Sequence, residues 1–536
     1  MTAAASDAGA SRIDVHWAEF NRLVGRSRKS MQRGNIEAAA AWAQVAATYA
    51  WMQPVGLFSS LEIEETLLEV GRALPTFRQI RTRTADPRRV LHVLTQAYPT
   101  GGSTQFVASW MRQDAHREHR VVLTHQGTAA VPDKLTEQVP SSHVSCLDGS
   151  PGGFARRAGR LRELASHADI VLVHTHPYDV LPTIAFANPP GPPVAYVNHA
   201  DHVFWIGVAT ASLLINMRHS GEALALARRG VAPDRSVVMP RPLRPGVRTM
   251  DRETAKRRLG LPVDAHLVTT IADGSKYRPI DGPSLLQSVL PQILDNPSSY
   301  LLAAGPDPVG EWADAQVASG GRVRALGRLM DVKTLHEAAD VYLDSFPFAS
   351  LTSLLEAGVL GTPVVTYSPY PAQCAVLGSD TPGIDAHLLR PTDPEMLRSV
   401  LDDLLQHPAE RAAIGHRMRQ AIEATHTGDG WTSRLDNLYR LAESAQAPLT
   451  GPATTREVDL LDEMIDLVMS RTGYSMGVVG ALRSSIGLFP FVDRARASVG
   501  LRLGGRAQDR LRQILPHWTV VRLARLRRVV MKRPSA

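Results

Sequence analysis

Cysteine is nearly absent. The 536 residues include two, Cys146 and Cys374, and neither has neighbours spaced as metal ligands or as a redox pair, so a reducing compartment is expected. No run of eighteen apolar residues occurs, which excludes a spanning helix. The first residues lack a basic stretch followed by an apolar one, so no secretion leader is expected. No G-x-G-x-x-G is present, which removes the usual dinucleotide fingerprint. A basic body is also missing. The net charge of +7 comes from the end of the chain, where Arg494 to Ala536 hold twelve Lys or Arg against one acid, Asp509, leaving −4 for the remainder. That balance argues against a nucleic-acid-binding surface on the main body.

What is present is long and ordinary. At 44% hydrophobic and 21% charged the chain is globular, and its length asks for two or three cores. Helical periodicity covers roughly Val15–Gln32, Ile36–Trp51 and Ser59–Leu74, after a small, polar start expected to be disordered. The middle helix resembles one tetratricopeptide-type hairpin, but a single unit cannot bury a core, so a helical cap on the next domain is expected. Arg78–Arg89 reads as a linker. Strands then alternate with helices: Val90–Leu94, Val121–Thr124, Ile170–Val173 and Val194–Val197, with helices at Thr104–His116 and Phe154–His167 and a Pro-rich turn at Asn188–Pro193. A second linker, Pro240–Gly246, precedes a second alternation. Its strands are Leu267–Ile271, Tyr300–Ala303, Arg322–Ala325 and Val341–Leu343. Such alternation predicts parallel sheets covered on both faces. The end of the body is helical, at Pro394–Leu405, Ala409–Thr425 and Trp431–Glu443.

The most informative stretch is Asp340–Tyr367, which reads strand, loop, helix, strand. Ser350, Thr352 and Ser353 fall at the helix start, where unpaired N–H groups and the helix dipole favour a phosphate. Glu356 lies four residues after Thr352, on the same helix face, where it could accept ribose hydroxyls. The same letters, Ser353-x-x-Glu356, also spell a capping box that binds nothing. Gly101-Gly102 follows the first strand, where glycine lets a backbone approach a phosphate closely. His174-Thr175-His176 and Asn198-His199-Ala200-Asp201-His202 close two parallel strands, which directs His176, His199, Asp201 and His202 to one cleft as bases or hydrogen-bond partners. Lys276 and Arg278 follow the first strand of the second half, suited to a leaving diphosphate.

These motifs, over residues 88 to about 445, resemble the GT-B superfamily of nucleotide-sugar-dependent glycosyltransferases. The segment LDSFPFASLTSLLEAGVLGTPVVT is similar to the nucleotide helix of the bacterial retaining "glycosyl transferases group 1" type and of O-linked N-acetylglucosamine transferases. The resemblance implies an α/β fold of two Rossmann-like domains facing a cleft. The expected boundaries are a helical extension 1–85, a first domain 86–243, a nucleotide-sugar domain 244–430, a returning helix 431–448 and a basic helical extension 449–536. It implies Glu356 on ribose, Ser350, Thr352 and Ser353 with Lys276 and Arg278 on the diphosphate, and the backbone after Gly327 facing the base. Gly101 and Gly102 would line the diphosphate, and His176 would match the active-site histidine. The retaining family has a second glutamate eight residues before the position of Glu356, and here that residue is Phe348, which leaves the sugar and the stereochemical outcome open.

The activity so implied is metal-independent, with no cofactor. A hexosyl or N-acetylhexosaminyl group would pass from a nucleoside-diphosphate sugar to a glycan, lipid-linked or protein acceptor. The alternatives are a non-catalytic binding or scaffold protein and a sugar-nucleotide epimerase. In the basic tail, Leu523, Leu526 and Val530 form one helical stripe and Arg522, Arg525 and Arg528 another, a pattern suited to an anionic membrane surface, with a domain-packing or dimer helix as the alternative and nucleic acid third. The expected location is cytoplasmic, with contact to the inner face of the plasma membrane through that helix.

Overall fold

The structure is a computed structural model describing residues 11–75, 86–188, 191–445, 455–473, 475–500 and 515–531, with side chains described up to 497 and 527 in the last two segments. Two open sheets organise it. The first contains β1 (Arg89–Leu94), β2 (Glu118–Leu123), β3 (Val144–Cys146), β4 (Ile170–Val173), β5 (Val194–Asn198), β6 (Leu213–Asn216) and β7 (Ser236–Val238), in the order β3-β2-β1-β4-β5-β6-β7. The second contains β8 (His266–Ile271), β9 (Ser299–Ala304), β10 (Val323–Ala325), β11 (Val341–Leu343) and β12 (Val364–Val365), in the order β10-β9-β8-β11-β12. All neighbouring strands run parallel.

Alternation along each strand sends its residues to two different cores. Leu91, Val93, Val171 and Val173 face a core shared with the helices Arg12–Gln32, Ile36–Met52 and Leu61–Arg72. The alanine-rich Ile36–Met52 is buried on most sides because its small side chains let neighbours approach closely. Two carboxylates join this layer to the sheet. Glu37 accepts from the N–H groups of Phe154 and Ala155 at the start of helix Phe154–Ala165, and Glu64 accepts from those of Gly207, Val208 and Ala209. Val90, Leu94, Ile170 and Leu172 face the other way, toward helix Gly102–Gln113 and helix Gly428–Ser444, which returns from the second sheet. There Trp110 Nε1 donates to Tyr439 Oη at 3.1 Å.

The short strands β3, β6 and β7 are absent from the expectations above. Each has three or four residues and carries too little alternation to register, so pairing with neighbours defines it. Residues 1–10 and the 78–85 part of the Arg78–Arg89 linker lie outside the described residues, as do 189–190 of the Pro-rich turn.

The C-terminal helix His517–Met531 is docked through buried Val521 and through two of the arginines expected to face lipid. Arg525 Nη2 lies 3.0 Å from Asp148 Oδ1, and Arg522 Nε donates to Gly149 O at 3.0 Å. Leu523 and Leu526 are 56% and 61% exposed. The side chains of Arg528 and Val530 lie outside the described residues. No described helix is long and apolar enough to cross a membrane.

Candidate functional site

Strand order reverses between β1 and β4 in one sheet and between β8 and β11 in the other. Ligands of open α/β sheets gather outside the strand C-termini at such points. Here the two edges face each other across a cleft of about 930 Å³.

On the second-sheet side, the loop after β11 leads into helix Leu351–Gly358, capped by Ser350 without a side-chain bond. Ser353 is therefore the third residue of the helix and not its cap. Glu356 does not reach back, because its Oε2 sits 3.7 Å from His336 Nε2. The capping box is not formed, and the N–H groups of Leu351, Thr352 and Ser353 have no acceptor among the described residues. Ser350, Thr352, Ser353 and Glu356 all line the cleft. Buried Asp344 shapes the loop: Oδ1 accepts from Ser345 N at 2.9 Å and Ser350 N at 2.8 Å, and Oδ2 accepts from Ser379 Oγ at 2.9 Å. Burial pushes its carboxyl pKa up. Lys276 Nζ donates to Ala349 O at 2.7 Å, and burial lowers its pKa from the usual lysine value.

On the first-sheet side, Gly101 precedes helix Gly102–Gln113 and makes no side-chain cap. A Cβ placed on Gly102 would lie 3.8 Å from Thr352 Oγ1. Two helix N-termini thus meet across the cleft, each presenting N–H groups and partial positive charge. Arg241, in the segment read from sequence only as a linker, adds a full charge. Its Nη1 donates to Gly102 O at 3.3 Å, and its guanidinium lies 5.3 Å from the Phe106 ring centre. Burial lowers its pKa to about 10, and Glu356 is the opposing charge. Arg328 bridges the two sides by donating to Thr100 Oγ1.

His199, Asp201 and His202 also line the cleft. Asp201 differs from the base expected of it. Its carboxylate accepts from Arg218 Nε at 2.6 Å and Nη2 at 2.8 Å, and the same arginine donates to Val376 O and Gly378 O. Although burial opposes ionisation, Arg218 holds the carboxyl well below its usual range, so Asp201 is the counter-ion of an arginine that reaches across to the second half. His202 Nδ1 lies 3.4 Å from Asp201 Oδ1, and its ring is 5.3 Å from that of Phe348.

Three expected residues do not line the cleft. His176 is stacked on Tyr98 and hydrogen-bonded to Tyr178 Oη, with burial lowering its pKa to about 4. Arg278 turns away and donates to Thr472 O at 2.9 Å. Gly327 takes a positive φ of 63°, and the residues that follow it, Arg328 and Leu329, line the cleft in its place. The helices from both chain ends supply cleft residues that no motif announced: Trp51, Met52 and Met469. Among the described residues, the groups with metal-ligand spacing are His125/Asp148/His517 and Asp403/His407/Glu410, and neither lines the cleft.

Histidines dominate the acid behaviour of this region. Burial lowers the pKa of His92, His119, His174, His176 and His199. The unfolded chain takes up these protons first as pH falls through about 6.5. Stability is therefore fully present above that pH and declines below it, by up to about 1.4 kcal/mol per pH unit for each such ring. Thermal melts from pH 8 to 5 should be flat above 7 and fall steeply below 6.5. A flat profile down to pH 5 would mean that these rings are not buried and neutral.

No family model and no curated protein matches this sequence. Solved structures do match. HepE from Anabaena in complex with UDP and glucose superimposes with a TM-score of 0.50 and 16% identity, covering 65% of this chain and 98% of HepE. The same protein with UDP-glucose gives a TM-score of 0.50 at 17% identity, covering 67% and 100%. A glycosyltransferase from Rickettsia africae gives 0.52 at 12% identity, covering 67% and 100%. With two parallel sheets apposed across a cleft and these structural neighbours, the chain has the GT-B glycosyltransferase fold.

Proposed function

We propose that this protein transfers a hexosyl or N-acetylhexosaminyl group from a nucleoside-diphosphate sugar to an acceptor hydroxyl. The observation that carries the reading is the meeting of two helix N-termini at Gly102 and Thr352, with half-buried Lys276 and Arg241 lining the same cleft and Glu356 one turn further along the second helix. In this arrangement the diphosphate lies against the free N–H groups of Leu351 to Ser353, and Glu356 accepts from the ribose. Lys276 and Arg241 offset the charge that develops on the leaving diphosphate, a task preorganised cations perform without a metal. His199 faces the same space and accepts the acceptor's proton. Phe348, packed against His202, borders the donor sugar with a ring where the retaining family has a carboxylate. UDP-hexoses are the first donors to test, because the HepE structures contain UDP, glucose and UDP-glucose.

A thermal-shift panel of UDP, GDP, ADP and TDP tests the binding step. One nucleotide should raise the midpoint by mass action, and Lys276→Ala should weaken that shift. Release of free nucleotide only when an acceptor is present marks a transferase, whereas an isomerised donor without acceptor marks an epimerase. Absence of any shift contradicts the reading.

The acceptor belongs to the envelope, as a glycan, lipid-linked or protein substrate, in the same proposal. Exposed Leu523 and Leu526 on the C-terminal helix would rest on an anionic membrane while Arg525 holds the helix to the body. Leu523→Asp/Leu526→Asp should reduce pelleting with anionic vesicles and leave the melting temperature unchanged. Equal pelleting removes the membrane role.

A further inference from the structure

Four histidines form a continuous diagonal across the first sheet. His119 Nδ1 lies 3.1 Å from His92 Nε2, His92 Nδ1 lies 3.1 Å from His174 Nε2, and His174 Nδ1 lies 3.1 Å from His199 Nε2. They belong to β2, β1 and the ends of β4 and β5, which are consecutive neighbours in the sheet. The register explains the spacing. His119 pairs with Val90, two residues before His92, and Leu172 pairs with His92, two residues before His174. Val173 pairs with Tyr196, so His174 falls beside Val197, two residues before His199. A stagger of two residues at every strand keeps all four rings on one face and moves the row steadily toward the cleft.

The row has a direction. At its far end His119 Nε2 lies 2.9 Å from the backbone carbonyl of Asp114, which can only accept. His119 therefore carries its proton on Nε2, and its Nδ1 must accept from His92. Repeated through neutral rings, this places every proton on Nε2 and leaves Nδ1 of His199 as the open acceptor. That atom has no partner among the described residues, and the ring lines the cleft. Burial keeps the rings neutral near pH 7, holding His92 and His174 well below the usual histidine value and His199 at about 3.

The charges at the two ends differ. The row lies beneath helix Gly102–Gln113, with Phe106 and Trp110 packed on His174, and Phe106 on His199. The positive helix end is at the cleft and the negative end at Asp114. Arg241 further disfavours charge on His199, which His176 opposes weakly and Asp201 favours. At the far end, the Asp114 carboxylate lies 3.5 Å from His119 Nε2. Asp114 also pairs with Arg117 at 2.6 Å, lies 3.7 Å from exposed His116, and accepts from Tyr439 Oη at 2.8 Å; His143 Nδ1 contacts the carbonyl of His119.

We propose that His119, His92 and His174 are positioning residues that fix His199 as a proton acceptor at Nδ1 and relay the proton it receives to His119. The step rests on the transferase reading only for its proton source. The acceptor O–H breaks and His199 Nδ1–H forms. Each Nε2–H of His199, His174 and His92 then passes to the next Nδ1, leaving His119 as imidazolium beside Asp114. The row resets by the reverse shifts, returning the proton through His199 to water or to the released diphosphate.

Nitrogen-15 spectra of histidine-labelled full-length protein, without substrate, test this directly. At pH 7.5 all four rings should be neutral Nε2–H tautomers, and on acidification the first ring of the row to charge should be His119. His119→Phe removes the carbonyl link and should mix the tautomers of His199, three strands away. His119→Gln, whose amide can accept from His92 and donate to Asp114 O, should keep His199 in order but lower kcat about tenfold or more at unchanged donor KM. An Nδ1–H tautomer at wild-type His199, its charging before His119, or its indifference to His119→Phe overturns the proposal. Unchanged kcat in His119→Gln overturns the relay. Failure of nucleotides to bind would instead remove the transferase reading and leave the tautomer result standing.

Discussion

Glu356→Ala is expected to weaken nucleotide binding by about 10- to 100-fold while leaving the melting temperature of the unliganded protein almost unchanged. A carboxylate accepting from sugar hydroxyls contributes about 1.5–3 kcal/mol per bond, which sets that range. The unliganded cost is small because the side chain is 38% exposed and makes no hydrogen bond among the described residues shorter than its 3.7 Å approach to His336 Nε2. Had Ser353 and Glu356 formed a capping box, the substitution would destabilise the fold by about 1 kcal/mol with or without nucleotide. Titration calorimetry with thermal melts of both proteins separates these outcomes. A destabilised variant that still binds nucleotide would restore the cap.

Arg218→Ala is expected to destabilise the protein by about 3–5 kcal/mol, since it strands a buried carboxylate. Arg218 and Asp201 have side chains only 7% exposed each, and their bonds of 2.6 and 2.8 Å are joined by two from Arg218 to the carbonyls of Val376 and Gly378. The residue therefore ties the strand ends of the first sheet to the loop after β12. Arg218→Met combined with Asp201→Ala should recover part of the loss, because the stranded charge is gone. Urea denaturation midpoints provide the measurement. A loss below 1 kcal/mol in the single variant would show that the pair is solvated.

The βαβ alternation was legible in sequence because buried parallel strands and amphipathic helices write themselves into local periodicity. Gly102, Thr352, Lys276 and Glu356 were legible for the same reason: each sits in the loop after a strand or on the helix that this loop leads into, where parallel sheets present ligand groups. What was hidden depends on distant partners. Arg278 and Lys276 are two residues apart in one loop, yet one enters the cleft and the other bonds Thr472 O in a helix from the far end of the chain. Asp201 looks like a base beside two histidines until Arg218 arrives from the next strand. Arg241 was concealed by the prolines around it, which mark a linker but not its direction. The histidine diagonal has no local signature, because it exists only once β2, β1, β4 and β5 take their register.

The most direct test of the nucleotide-sugar site is a crystal structure of the protein with a bound nucleoside diphosphate. The diphosphate should lie between Gly102 and Thr352, hydrogen-bonded to the N–H groups of Leu351 to Ser353 and close to Lys276, with Glu356 on the ribose hydroxyls. A nucleotide bound elsewhere, or one in this cleft that leaves Glu356 without contact, would contradict the account.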